Sequence, residues 1–306
     1  ADAYDVMGRV QVEHGDFKAA LETYRKACEL TPASVMRLQK QGMLAFYTGD
    51  FKESEKALDR AVSTGMSSKM FDLETLVLLA LLKFDSADAR GMVRTLDNLA
   101  HACERHPESR RIQRFMGLGA ILRSVADRQI ARAIVQVKGV ASEVRDDDYD
   151  FEAASNLIAL LARLARTEVQ LPDAEVWVGN VAMRFCVSKA GTDLLCAAAF
   201  GHDVYQQVVR DAHARVGAMA EQAMTHSIKG SPLVAVQTLL RQGEETLNAK
   251  LLELASMVLQ RHRERIELYE PMMKRVNALQ ERFCTKGTRV SLSEVGRQAG
   301  ALAMRA

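Results

Sequence analysis

The chain has 306 residues, with 41 Lys plus Arg against 39 Asp plus Glu, so its small net charge calls for neither nucleic acid nor an anionic membrane as partner. Only 5 prolines and 18 glycines interrupt long runs of Ala, Leu, Val, Arg and Glu, and no β-branched segment alternates at strand spacing, which points to an all-α fold. Five scattered cysteines (Cys28, Cys103, Cys186, Cys196, Cys284) form no Cys-x-x-Cys pair, and no apolar run is long enough to span a bilayer. A reducing, cytoplasmic setting without a membrane is the expectation.

The first two helical pairs carry an internal repeat. Gly15-Asp16-Phe17-Lys18 returns 34 residues later as Gly49-Asp50-Phe51-Lys52, and Tyr4, Gly8, Ala20, Tyr24 and Ala27 shift onto Leu38, Gly42, Ser54, Leu58 and Ala61. A fixed period of this length, with small residues at fixed places, marks stacked helix–turn–helix units. Two antiparallel helices approach closely only where side chains are small, so Gly8 is expected to face Ala20 and Ala27, with Tyr4 and Tyr24 filling the gaps. Gly15 suits the left-handed C-cap of the first helix, Asp16 the N-cap of the second, and Pro32 closes the unit.

Downstream, 69–84 reads as an apolar helix with Leu73, Leu76, Val77, Ala80 and Leu81 on one face. Thr95-x3-Leu99-x2-Ala102-x4-Pro107 reproduces the spacing of Ala20, Tyr24, Ala27 and Pro32, with about seven extra residues in the preceding turn, and Gly117 falls where Gly42 would. A fourth unit then opens with a helix over 112–122. The pattern degrades while helices continue: 130–144, 151–166 with Leu157, Ile158, Leu161 and Leu164 inward, and 173–188. A long helix ends near 227, with Val204, Val208, Ala212, Val216, Met219 and Ala223 as its stripe. Helices 233–241 and 247–265 form a pair, and Pro271 restarts the next helix. The run 145–150 reads as a polar surface loop. The division expected is 1–124 repeats, 125–284 degenerate helical repeats and 285–306 a loosely held tail.

Both repeat copies resemble the tetratricopeptide repeat: Tyr4-x2-Met7-Gly8 fits its first helix, and Ala20-x3-Tyr24-x2-Ala27-x4-Pro32 its second helix and terminator. The resemblance implies a right-handed α-solenoid whose first helices line a concave face that receives a protein or peptide. Positions pointing into that face are Arg9 and Glu13, then Gln39, Met43 and Phe46, then Arg111 and Arg114, and these are the candidate partner-binding residues. Asp5, Val12, Leu73, Val77, Ala80, Leu118 and Ile121 share the face. The Lys/Asn/Arg clamp by which some relatives hold a chaperone's C-terminal carboxylate is absent: the corresponding positions carry Asp5, Arg9, Lys40 and Met43. Leu30-Thr31-Pro32-Ala33-Ser34-Val35-Met36-Arg37 with Gly49–Lys52 is also similar to the repeat half of bacterial response regulators that join a receiver domain to tetratricopeptide repeats, which implies a signalling role.

Other chemistry finds little support. Cys103 and His106, with His101 nearby, lack the further convergent ligands a metal needs, and Asp146–Asp148 lacks the spacing of a calcium loop. No phosphate-binding loop, dinucleotide fingerprint or nucleophile elbow occurs. The expectation is therefore a non-catalytic interaction scaffold with no cofactor and no metal, free to self-associate. The arginines at 110, 111, 114, 123, 128 and 132, and the group Arg261, His262, Arg263, Arg265, read first as solvated surface. They also admit an acidic or phosphorylated partner. A basic scaffold for RNA or DNA is the alternative, disfavoured because no aromatic residues interleave with these cations.

Overall fold

The computed structural model describes residues 2–68, 71–104, 109–142, 151–186, 189–246 and 248–287, with only the backbone described at 13, 142, 228 and 282–287. Among the described residues every regular element is helical. Four antiparallel pairs come first: α1 Asp2–Glu13 with α2 Phe17–Leu30, α3 Val35–Thr48 with α4 Phe51–Gly65, α5 Glu74–Asp85 with α6 Ala89–Cys103, and α7 Arg110–Ala126 with α8 Ile130–Ser142. Then follow α9 Phe151–Leu164, α10 Ala174–Phe185, α11 Lys189–Ala198, α12 Asp203–Ile228, α13 Pro232–Glu245, α14 Ala249–Arg261 and α15 Tyr269–Gly287. Consecutive helices from α1 to α8 pack in sequence, as stacked pairs must. The fold is an all-α helical-repeat solenoid.

The repeated device is a capped turn between the two helices of each pair. Asp16, Asp50 and Asp88 share nearly one backbone conformation, and each accepts a hydrogen bond from the amide three residues on: Ala19 at 3.0 Å, Glu53 at 3.2 Å and Gly91 at 2.8 Å. The preceding residue is left-handed in all four pairs: Gly15 at φ 77°, Gly49 at 86°, Ala87 at 56° and Arg128 at 58°. Glycine accepts this conformation freely, whereas Ala87 and Arg128 hold it against Cβ repulsion. The amide that follows each of these residues closes the first helix, Asp50 donating to Ala45 O at 2.9 Å and Gln129 to Ser124 O at 2.7 Å.

These caps fix the register. Counted from Asp88, the places of Ala20, Tyr24 and Ala27 fall on Met92, Leu96 and Leu99, so the third unit sits three residues from the Thr95/Leu99/Ala102 alignment. All of the residues in the capped register are buried. The fourth unit slips likewise: counted from Gln129, Ile121 rather than Gly117 holds the place of Gly42. The extra length of the third unit does not lie in its inner turn. The connection 66–73 before α5 has eight residues, against four in 31–34 before α3.

Helix contacts follow the small residues. A Cβ placed on Gly8 would lie 2.6 Å from the Tyr24 ring, and on Gly42 2.4 Å from Leu58 Cδ2, so both pairs rest on glycine facing a large side chain. Tyr24 is 1% exposed and Leu58 fully buried. Ion pairs tie one pair to the next: Arg37 of α3 to Asp5 of α1 at 2.7 Å, Arg25 of α2 to Glu53 of α4, and Lys83 of α5 to Glu55 and Asp59 of α4 at 2.7 and 2.8 Å.

The first core runs without a break from Val12 to Ala212, passing across residue 124, and a second runs from Ala223 to Leu279. The 26-residue α12 belongs to both. Its inward stripe is Tyr205, Val209, Ala212, Val216 and Ala223, one residue round from the expected Val204 and Val208 at its start, and Val204 is exposed. Asn248, fully buried, caps α14 and donates to Met183 O of α10 at 3.0 Å, and His213 contacts Cys186 O at 2.6 Å. Pro107, the loop 145–150 and the tail from 288 lie outside the described residues. No helix among those described is long and apolar enough to cross a membrane.

Candidate protein-docking groove

The first helices α3, α5 and α7 stand side by side, and the face they share is covered by α9, with α11 lying against both α3 and α9. All fourteen residues of α9 are buried. The groove that the sequence reading leaves open is filled by the chain itself. A helix apolar on every side has no solvent face, and 151–164 offers only Glu152 and Arg163 as charges, which is the signal for this role.

Polar contacts fix how α9 lies in the groove. At its start, Arg111 of α7 donates through Nε to Glu152 Oε2 at 2.6 Å, through Nη2 to Glu152 Oε1, and through Nη2 to Asp72 Oδ1 at 2.6 Å, with its guanidinium 4.8 Å from the Phe115 ring. Burial alone would lower the Arg111 pKa, but the hydrogen bonds and charge of Glu152 outweigh it, so the side chain stays charged. One turn on, Tyr47 of α3 bonds to Ser155 Oγ at 3.1 Å. Ser155 in turn donates to Glu152 O at 3.0 Å, which leaves the Tyr47 hydroxyl as donor. Burial pushes the Tyr47 phenol well up, so it remains protonated.

At the far end Arg163, fully buried, donates from Nε to Asp85 Oδ2 at 2.9 Å and from Nη1 to Ala159 O at 3.0 Å, and its Nη2 lies 2.7 Å from Asp85 Oδ2 as an ion pair without hydrogen-bond geometry. Its guanidinium lies 3.9 Å from the Phe200 ring centre and 5.3 Å from that of Phe46. Phe200 closes this end of the groove, edge-on to Phe51 of α4 at 4.2 Å. Burial raises the Asp85 pKa although Arg163 opposes it.

Of the sequence-predicted residues, Gln39, Met43 and Phe46 are 4%, 3% and 1% exposed, and Phe46 lies against Arg163 of α9. Gln39 donates to Thr75 Oγ1 at 2.7 Å and to Asp72 O at 3.1 Å. Arg111 is held as above, Arg114 is half-buried, Arg9 is exposed on α1, and the Glu13 side chain lies outside the described residues. The structure sets Phe46 and Arg111 against the internal helix and buries Gln39 and Met43, while Arg9 is exposed on α1 and Arg114 half-buried on α7. Sequence reasoning missed Asp72, Glu152, Tyr47, Ser155, Asp85 and Arg163.

Asp72, Glu74 and Glu152 bring carboxylate oxygens within 4.8 Å of one another. The Arg111 guanidinium already bonds two of the three, so the cation of this cluster is an arginine. Cys103 and Cys186 are buried, and burial pushes their thiols up to about 11 and about 12, which makes them inert core residues rather than ligands or nucleophiles. His106 and Asp146–Asp148 lie outside the described residues.

Residues 1–34, spanning α1 and α2, match the tetratricopeptide repeat family. No curated protein matches the chain. Fold and match together define a helical-repeat protein whose first helix pair is similar to the tetratricopeptide repeat, a module that generally mediates protein–protein interaction.

Proposed function

We propose that the chain is a non-catalytic protein-interaction scaffold acting in bacterial cytoplasmic signalling, as the repeat output half of a receiver-containing response regulator. The observation that carries the scaffold reading is α9 itself, a helix seated across α3, α5 and α7 and held in register by side-chain bonds, which is helix-in-groove recognition. The signalling role rests on the likeness of 30–37 and 49–52 to such regulators. With α9 in place, partner contact is assigned to the remaining candidates, Arg9 and Glu13 of α1 and Arg114 of α7. Phe46 and Arg111 contact the internal helix, and Gln39 and Met43 are buried.

The test is affinity capture from a bacterial lysate with the chain and with an Arg9→Glu/Arg114→Glu variant of unchanged helicity. A protein retained by the first and lost by the second supports the reading. Retention by both removes Arg9 and Arg114 from the site. Recovery of nucleic acid alone, released by moderate salt, overturns the scaffold reading in favour of a nucleic-acid-binding one.

A further inference from the structure

The outer edge of the third and fourth pairs carries the reverse of the charge pattern built into the first two. On α2, Arg25 gathers Glu22, Asp50 and Glu53 around one guanidinium. Counted from Asp88, Asp97 of α6 occupies the place of Arg25 and Arg94 that of Glu22, and counted from Gln129, Arg132 of α8 occupies that of Glu53. Asp97 is the single carboxylate here, and Arg123 of α7 claims it at 2.6 Å.

The cations beside it are left without acids. Arg90 and Arg94 are exposed, and among the described residues neither makes an ion pair or a side-chain hydrogen bond, while Arg132 bonds only the neutral Gln129 at 3.2 Å. Arg90, Arg94 and Asp97, together with Ala89 and Val93, line a shallow hollow of about 410 Å³ on α6.

We propose that this hollow docks an acidic segment of a partner protein, an extended stretch with glutamate or aspartate at alternate positions and one apolar side chain. The proposal rests on the scaffold reading and names its partner's chemistry. Arg90 and Arg94 stand one helical turn apart, about 6 Å along the axis, and alternate residues of an extended chain repeat at about 6.7 Å. Each guanidinium can therefore take one carboxylate through a paired hydrogen bond. Ala89 and Val93, on the adjoining row, give an apolar side chain its floor. Asp97, fixed by Arg123, repels a further acid, so it sets where the acidic run must stop. No aromatic residue lines the hollow, which leaves nucleobases without a stacking platform.

The experiment is fluorescence anisotropy with a short labelled peptide alternating glutamate and glycine around one leucine, added to the full chain. Two charge-assisted bonds predict that R90E/R94E, and in parallel R90A/R94A, weaken binding about tenfold or more. The charge-matched K52E/K56E on α4 stays within about twofold if the site is local rather than a diffuse field. No binding to the unaltered chain, or equal loss in all variants, overturns the proposal. So does tighter binding of a single-stranded oligonucleotide, or binding of a phosphopeptide alone. In the lysate capture, a protein partner kept by R90E/R94E removes this hollow while leaving the scaffold intact, whereas no protein captured by the unaltered chain removes the scaffold reading itself.

Discussion

Replacing Arg163 by methionine tests how α9 is held in the groove. Methionine keeps most of the side chain's length and apolar contact, so the loss isolates the guanidinium. Arg163 is fully buried, donates one hydrogen bond to Asp85 and one to Ala159 O, brings Nη2 within ion-pair distance of Asp85, and is flanked by Phe46 and Phe200. Removing one partner of a buried pair costs about 3–5 kcal/mol. The Asp85 carboxylate keeps 16% exposure and can rehydrate, which places the expected loss near the lower end, about 3 kcal/mol. Asp85→Asn added to Arg163→Met removes the stranded charge and should recover about 2 kcal/mol, so the two changes are strongly non-additive. Urea unfolding followed by far-ultraviolet circular dichroism measures each variant and the double. A loss below about 1 kcal/mol for Arg163→Met, or additivity in the double, would refute the claim that this pair pins α9.

Four further outcomes follow from the repeat geometry. Gly42→Ala should destabilise by about 1–3 kcal/mol, because its Cβ would meet Leu58 at 2.4 Å; a thermal melt shows it. Gly49→Ala meets no atom yet sits at φ 86° and should cost about 1–2 kcal/mol, while Ala87→Gly at φ 56° should stabilise by about 0.5–1 kcal/mol, the cap penalty less glycine's added unfolded-state freedom. Tyr24→Ala, at a ring 1% exposed against Gly8, should cost about 3–5 kcal/mol in urea. Hydrogen bonds from Arg37 and Arg25 hold the Asp5 and Glu53 carboxyls below their usual values, so their stabilisation is present above about pH 4 and is lost as pH falls through the folded values. The melting temperature of Asp5→Asn/Glu53→Gln should therefore fall less between pH 5 and pH 3 than that of the unaltered chain.

The first two pairs could be read from the sequence because every level agrees there. Gly15 and Gly49 are left-handed and Asp16 and Asp50 cap, while Gly8 meets the Tyr24 ring, and Gly42 Leu58, where the sequence pattern sets Gly8 against Ala20 and Ala27. The third pair was legible as a helix pair but not in register. A helical face returns every three to four residues, so Thr95 and Leu99 look as suitable as Met92 and Leu96, and all four are buried. The deciding mark would have been the left-handed residue before the cap, and there Ala87 and Arg128 stand in place of glycine. The same ambiguity put Val204 inward where Tyr205 lies, while Val208 packs partly buried against the core beside Val209. The filled groove was the least legible feature. Arg111 reaches Glu152 across 41 residues, and Arg163 reaches Asp85 across 78, distances over which local periodicity carries no information.

The internal helix changes what recognition the solenoid can offer. A peptide entering between α3 and α7 must compete with α9, which the chain presents at an effective concentration on the order of millimolar or above. It must also replace the contacts of fourteen buried residues and their bonds to Arg111, Tyr47 and Asp85. A free peptide of ordinary affinity does not meet that requirement, and an open state would break the Arg111–Glu152 and Arg163–Asp85 pairs. The face that serves as a binding groove in an open repeat array has here become core, continuous from Val12 to Ala212. Under the scaffold proposal, what remains for partners is Arg9 and Arg114 and the edge where Arg90 and Arg94 make no ion pair among the described residues. On that proposal the concave face sets the shape of this solenoid, and specificity lies in the charges of its outer turns.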